Sequence, residues 1–173
     1  STILSFSGAN PAELKYNSKW LEKLSFADVL ELSSHLTHAD MVKREMFQKR
    51  IAEGKELYMH EFLYPLMQGY DSVAMDVDGE VGGNDQTFNM LVGRDLMKKL
   101  KGKEKFVIAM KLLADPSGKK MGKTEGNMVS FLDTPADCFG KIMSWPDRAI
   151  IPAAELCTLL PDSDILAIKQ NLE

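Results

Sequence analysis

Apolar residues recur at helical spacing through the first part of the chain. Residues 25–35 and 37–54 each open with a Ser or Thr followed three positions later by Asp, which is typical of a capped helix start. Gly54 is typical of a helix end. A third helical pattern covers residues 58–73, where Pro65 is tolerated only in the first turn or at a kink. The pattern therefore predicts three helices.

The middle of the chain changes to an order of strand, turn, helix and strand. A turn signal precedes a very short predicted strand at residues 80–82. Asn84 or Asp85 can cap a helix over residues 86–100. Residues 106–113 are rich in apolar and β-favouring residues, which predicts a buried strand. This order indicates an α/β fold rather than an all-α fold.

The last part of the chain is predicted to be helical. Residues 134–137 form a helix start with proline at the first position and Asp at the third. Pro146, Pro152 and Pro161 then divide the remaining residues. This pattern predicts a short helical bundle.

Composition narrows the class of protein. The 173 residues are 45% hydrophobic and 27% charged, which suits a globular domain and excludes a disordered chain. The net charge of −4 provides no global basic field, so contact with nucleic acid requires a local patch. Cys138 and Cys157 lack metal-binding spacing, which favours a reduced, cytoplasmic protein. Neither a signal peptide nor a membrane segment is indicated.

Three polar residues interrupt the apolar pattern of the third predicted helix. Tyr64, Gln68 and Asp71 are separated by four and three positions, which places a phenol, an amide and a carboxylate on one helix face. Such a face suits a small zwitterionic ligand. The alternative is a core tyrosine beside a solvent-facing Gln and Asp.

A glycine pair follows the predicted short strand. Gly82 and Gly83 precede Asn84, Asp85 and Gln86. Glycine lets backbone approach a ligand, and a helix N-terminus favours anionic oxygens, so a ribose or a carboxylate would suit this place. A plain glycine turn followed by an Asx cap is the alternative.

A lysine cluster follows the second predicted strand. Lys119, Lys120 and Lys123 carry ammonium groups on long side chains, which suit phosphates whose charge shifts during a reaction. A solvated basic turn is the alternative.

Taken in order, these motifs resemble a known family. Residues 64–71 (YPLMQGYD), 82–86 (GGNDQ) and 120–124 (KMGKT) are similar to the second half of the catalytic domain of bacterial-type tyrosyl-tRNA synthetases. The resemblance implies a partial, helix-rich, Rossmann-like class I synthetase core. It divides the chain into connecting and dimer-interface helices (1–57), the catalytic part (58–134) and the start of an anticodon-binding region (135–173).

The resemblance implies a tyrosine-tRNA ligase, which activates tyrosine with ATP to tyrosyl-adenylate and transfers it to tRNA(Tyr). By matching position, Tyr64 and Gln68 would hold the α-amino group of tyrosine, and Asp71 would accept its phenolic hydroxyl. The rest of the tyrosine and ribose side would be lined by Glu80, Gly82, Gly83, Asp85 and Gln86.

The resemblance also implies an ATP side of the site. Lys120 and Lys123 stand where the family has its KMSKS signature, and as catalytic residues they would stabilise the pyrophosphate leaving group. Leu112 and Leu113 would pack near the adenine. Magnesium is expected with ATP, without a metal site of the protein's own. A cytoplasmic homodimer with no membrane contact is expected.

The HIGH signature of the family has no counterpart in this sequence. The histidines are His35, His38 and His60, and none stands in that context. We therefore expect a fragment or a divergent partial relative, inactive as an isolated chain. Two alternatives stay open: a non-catalytic binding module derived from a synthetase, and a relative of the tryptophanyl-tRNA synthetases.

Overall fold

The computed structural model describes residues 5–114, 121 and 128–172. The chain divides into two compact units, one formed by residues 12–110 and the other by residues 1–11 together with 111–173.

The first unit begins with four short helices: α1 Ser18–Leu21, α2 Phe26–Ser33, α3 His38–Val42 and α4 Glu45–Ala52. The first predicted helix is confirmed by α2. Ser25 Oγ accepts the backbone N–H of Asp28, and the Asp28 carboxylate accepts the backbone N–H of Ser25. This reciprocal pair satisfies two donors that a helix start would otherwise leave free.

The single helix predicted over residues 37–54 is wrong, because the structure divides it into α3 and α4. Thr37 opens α3 as predicted, accepting the N–H of Asp40 at 3.1 Å. The backbone then becomes extended at Arg44, with ψ of 132°. The Arg44 guanidinium lies 4.7 Å from the ring centroid of Phe88. This cation–π contact with a distant residue favours the break, and the local apolar spacing does not reveal it.

Two longer helices, α5 Met59–Met75 and α6 Thr87–Lys101, pack against each other in the first unit. Their backbones approach closely at Gly69, where an added Cβ would lie 3.1 Å from the backbone nitrogen of Gly93. Pro65 lies in the second turn of α5, and α6 ends at Gly102 with φ of 64°. The buried apolar core comprises Leu32, Leu66, Val73, Val92, Leu96 and Met97.

A parallel two-stranded sheet is formed by β1 Gly79–Gly83 and β2 Phe106–Met110. The α6 helix connects the two strands, so the predicted α/β class is confirmed. The predicted buried strand over residues 106–113 is wrong in length and burial. The strand ends at Met110, and Phe106 is 60% exposed. Among the described residues β1 is the one strand that pairs with β2, which leaves β2 partly exposed.

One turn of 3-10 helix, Asn84–Gln86, lies between β1 and α6. The predicted cap is wrong, since α6 begins at Thr87 without a side-chain cap from Asn84 or Asp85. Thr87 Oγ1 instead donates to the carbonyl of Asn84 at 2.7 Å.

The second unit is helical over much of its described length. Its first helix, α7 Pro135–Met143, starts as predicted, because Thr134 Oγ1 accepts the N–H of Asp137 at 3.2 Å. The chain continues through a 3-10 turn, α8 Ile150–Cys157 and α9 Asp162–Leu172. In the part of the chain that the structure describes, no helix is both long enough and apolar enough to cross a membrane.

Candidate functional site

One face of α5 carries the three polar residues selected by their spacing. Tyr64 is 58% exposed, whereas Gln68 and Asp71 are half-buried. The alternative of a core tyrosine beside a solvent-facing amide and carboxylate is therefore wrong. Because partly buried polar groups need partners, the contacts of Gln68 and Asp71 define what this face can bind.

The Asp71 carboxylate is held by residues from the segment around α1. Trp20 Nε1 donates to Asp71 Oδ1 at 2.7 Å, and Asn17 Nδ2 lies 3.5 Å from Oδ2. Burial raises the pKa of Asp71 above its usual value, the two donors oppose that rise, and the negative charge of Glu80 adds to it. Since a carboxylate has several lone pairs, Asp71 can still accept a hydroxyl proton donor.

Asn17 and Trp20 contact Asp71, and the sequence patterns do not predict these contacts. They precede Asp71 by 54 and 51 positions, so no local spacing connects them to it. Their side chains each carry an N–H donor in a segment without apolar periodicity, and that is the one signal the sequence offers.

A bridging amide connects α5 to the start of α6. Asn89 Nδ2 donates to Gln68 Oε1 at 3.0 Å and to Gln86 Oε1 at 3.1 Å. Asn89 thereby connects Gln68 and Gln86, two of the predicted site residues. Asn89 is buried, and its Oδ1 has no hydrogen-bond partner within the described residues.

Glu80, expected at the edge of the site, is the residue on which several contacts converge. Its Oε1 lies 3.5 Å from Gln68 Nε2, and its Oε2 accepts from Ser72 Oγ at 3.2 Å. The same Oε2 accepts from Lys105 Nζ at 2.5 Å, and the Lys105 side chain is 0% exposed. Glu80 is therefore paired with a fully buried lysine, and the sequence patterns do not predict this ion pair.

The glycine pair lies beside these contacts. An added Cβ at Gly82 would lie 3.0 Å from Met90 Sδ, so a larger residue has little room there. Gly83 is extended and leads into the 3-10 turn. Asp85 Oδ2 lies 3.4 Å from Gln86 Nε2. Contacts of these residues with a ligand stay predictions.

The residues predicted to contact ATP lie in the second unit or outside the described residues. Leu112 and Leu113 are half-buried, and the carbonyl of Leu113 accepts the N–H of Met121 at 3.0 Å. Lys120 and Lys123 lie outside the described residues. The ATP side of the site therefore stays a prediction.

The chain is similar to a known family over almost its whole length. A family model described as tRNA synthetases class I (W and Y) matches residues 2–172. The chain therefore belongs to this family of class I synthetases, which confirms the resemblance noted from its motifs.

Within that family, the chain is similar to tyrosine-tRNA ligases. It is 47% identical over 167 residues to the tyrosine-tRNA ligase of Carboxydothermus hydrogenoformans, covering 95% of this chain and 41% of the relative. It is 44% identical over 162 residues to that of Thermotoga maritima, covering 93% of this chain and 40% of the relative. The chain thus spans about two-fifths of the length of these curated relatives.

A solved structure shows the same relationship. The crystal structure of a C-terminally truncated Coccidioides posadasii mitochondrial tyrosyl-tRNA synthetase matches with a TM-score of 0.60 and 26% identity. The match covers 89% of this chain and 46% of that one, which supports the class I synthetase fold.

Proposed function

We propose that this chain is part of a tyrosine-tRNA ligase, which activates tyrosine with ATP and transfers it to tRNA(Tyr). The observation that carries the proposal is the half-buried Asp71 carboxylate, which lies on the same face of α5 as Gln68 and accepts a hydrogen bond from Trp20. Similarity to tyrosine-tRNA ligases over most of the chain supports the same activity.

The proposed tyrosine site recognises both ends of the amino acid. Asp71 would accept the phenolic hydroxyl, and phenylalanine would leave this carboxylate without that donor, which lowers its affinity. Tyr64 and Gln68 would accept hydrogen bonds from the α-ammonium through neutral oxygens. The tyrosine and ribose side would be completed by Glu80, Gly82, Gly83, Asp85 and Gln86.

Activation would proceed by attack of a tyrosine carboxylate oxygen on the α-phosphorus of ATP. The bond from that phosphorus to the bridging oxygen of pyrophosphate breaks, and pyrophosphate leaves. This step needs positioning and charge neutralisation rather than a protein nucleophile. Lys120 and Lys123 would neutralise the leaving group, and Leu112 and Leu113 would pack near the adenine. A ribose hydroxyl of the tRNA then attacks the activated carbonyl carbon, and AMP leaves.

Magnesium would be bound through the phosphates of ATP. The described residues bring together no group of three or more His, Cys, Asp or Glu side chains that could hold a metal ion.

We also expect a homodimer in the cytoplasm. The exposed apolar side chains of Phe26, Leu30 and Met59 support an interface on the first unit, because covering such side chains with a partner lowers the free energy. Sedimentation of the natural gene product would show twice the monomer mass.

The proposed activity is tested by exchange of labelled pyrophosphate into ATP by the natural gene product that carries this chain. We expect exchange that depends on tyrosine, is not supported by tryptophan, and is lost in Lys120→Ala. Exchange that depends on tryptophan would favour the tryptophanyl relative, and a folded protein without exchange would favour the non-catalytic module.

A further inference from the structure

A lysine lies where the fold would ordinarily place an apolar side chain. Lys105 precedes β2, and its side chain is 0% exposed. Burying an ammonium costs several kcal/mol unless charged and polar partners surround it. Lys105 Nζ has two such partners, Glu80 Oε2 at 2.5 Å and Ser72 Oγ at 2.9 Å.

The neighbouring helix leaves space for this ammonium. At Gly93 in α6, an added Cβ would lie 2.6 Å from Lys105 Nζ and 2.8 Å from Ser72 Oγ. Real Cβ atoms do not approach other atoms so closely. The buried ammonium of Lys105 is therefore stabilised by polar partners and has room because Gly93 carries no side chain.

The contacts continue from the cation to the α5 face. Glu80 receives Lys105 on Oε2 and faces Gln68 Nε2 with Oε1 at 3.5 Å. Because an ionised carboxylate can only accept, it favours the Gln68 orientation that turns the NH₂ group toward Glu80. Gln68 Oε1 then lies on the other side, where Asn89 Nδ2 donates to it at 3.0 Å.

The orientation of this amide decides what Gln68 can bind. In the observed orientation Oε1 keeps a second lone pair, which can accept from an ammonium group. In the flipped orientation the NH₂ group of Gln68 would face Asn89 Nδ2 and the substrate ammonium. Both of these groups are donors, so neither contact would be a hydrogen bond. An acceptor at this position therefore depends on a negative charge at Glu80 and on the cation that stabilises it.

We propose that Lys105 is a positioning residue for the amino end of the substrate tyrosine, acting through Glu80 to orient the Gln68 amide. This inference rests on the proposed function, and it adds a residue that lies outside the motifs. Lys105 touches no substrate.

The test compares variants of the natural gene product in tyrosine-dependent pyrophosphate exchange. Lys105→Met keeps the length of the side chain and removes the charge. Lys105→Met combined with Glu80→Gln removes both charges, so that no ion is left without a partner and folding is protected. Lys103→Met is the matched control, because Lys103 is a partly exposed neighbour whose Nζ lies 2.9 Å from Asp78 Oδ1.

We expect the KM for tyrosine to rise roughly tenfold in Lys105→Met, within the coupling range of residues in one hydrogen-bond network. The KM for ATP and the kcat should change less than about twofold, because the predicted ATP residues are not in this network. The double variant should fold with the stability of the unmodified protein. It should keep a raised KM for tyrosine, because a neutral amide at position 80 can present either an acceptor or a donor to Gln68. Lys103→Met should leave every constant unchanged.

A merely structural role for Lys105 would lower the folded fraction and leave the KM for tyrosine unchanged. The inference is contradicted if either variant, once shown to be folded, binds tyrosine with the unmodified KM. If Lys105→Met does not fold, the double variant decides. Absence of tyrosine-dependent exchange in the unmodified protein would instead contradict the proposed function itself, so the two failures are distinguishable.

Discussion

The indole N–H of Trp20 donates to Asp71 Oδ1 at 2.7 Å, which connects the segment around α1 to the middle of α5. This hydrogen bond fixes the direction of the carboxylate and opposes the rise in its pKa caused by burial. It leaves the remaining lone pairs of Asp71 available to a ligand. The acceptor proposed for the tyrosine hydroxyl is therefore oriented by a residue outside the α5 motif.

Removing this donor should weaken the discrimination between tyrosine and phenylalanine. Trp20→Phe keeps an aromatic ring and deletes the N–H, so the carboxylate loses its shorter hydrogen bond. We expect the ratio of kcat/KM for tyrosine over phenylalanine to fall about tenfold, as for the loss of one hydrogen bond to a charged group. Trp145→Phe, in the second unit, is the matched control and should leave the ratio unchanged.

Asp71 should cost stability as the pH rises. Its pKa is raised in the folded state above the ordinary 3.8, so the unfolded chain ionises first as the pH increases. The contribution of Asp71 to the free energy of unfolding is therefore fully present below pH 3.8. It is lost as the pH rises through the pKa of Asp71 in the folded state. Relative to the unmodified protein, Asp71→Asn should gain free energy of unfolding between pH 3 and pH 7. Urea unfolding at both pH values measures this, and a difference that stays constant would contradict the assignment.

Glu61 should show the opposite dependence. Its carboxylate pairs with Arg50 and accepts the N–H of Tyr58 at 3.1 Å, and these contacts hold its pKa below the usual 4.5. The stabilisation is present above 4.5 and is lost as the pH falls through the folded value. Glu61→Gln should therefore lower the unfolding free energy at pH 7 and have a smaller effect at pH 3.

The control for this experiment is Glu155→Gln, at an exposed position in α8. It should have the same small effect at both pH values. A Glu61→Gln cost that is equal at pH 7 and pH 3 would show that the pair with Arg50 does not act through charge.

Gly93 in α6 and Gly140 in α7 should respond to alanine in opposite directions. At Gly93 the new methyl would meet Lys105 Nζ and Ser72 Oγ at less than 3.0 Å, so Gly93→Ala should lower the free energy of unfolding by about 1–3 kcal/mol. At Gly140 in α7 no atom lies within 4 Å of an added Cβ. Gly140→Ala should raise the unfolding free energy by about 0.5–1 kcal/mol, and calorimetry on both variants would check the signs.

Features set by neighbouring residues were predictable from the sequence. The cap formed by Ser25 and Asp28 and the cap formed by Thr134 and Asp137 need partners three positions apart, and both are present in the structure. The predicted face of α5 likewise depends on helical spacing alone. Local patterns therefore predicted the starts of α2, α3 and α7 and the residues that share the α5 face, but not the starts of α4 and α6.

Features set by distant residues were not predictable in this way. The break between α3 and α4 involves Arg44 over Phe88, and Glu80 is paired with Lys105, 25 positions later. The partial exposure of β2 depends on which strands lie beside it. The apolar pattern of a strand shows that it can be buried, and not what covers it.

In the proposed site, Asp71 recognises the hydroxyl of substrate tyrosine. The most direct measurement is the ratio of kcat/KM for tyrosine over phenylalanine in pyrophosphate exchange, compared between the natural gene product and its Asp71→Ala variant. We expect the ratio to fall by roughly ten- to a hundredfold, because the hydroxyl loses its charged acceptor. A folded variant that prefers tyrosine as strongly as the unmodified protein would contradict the claim.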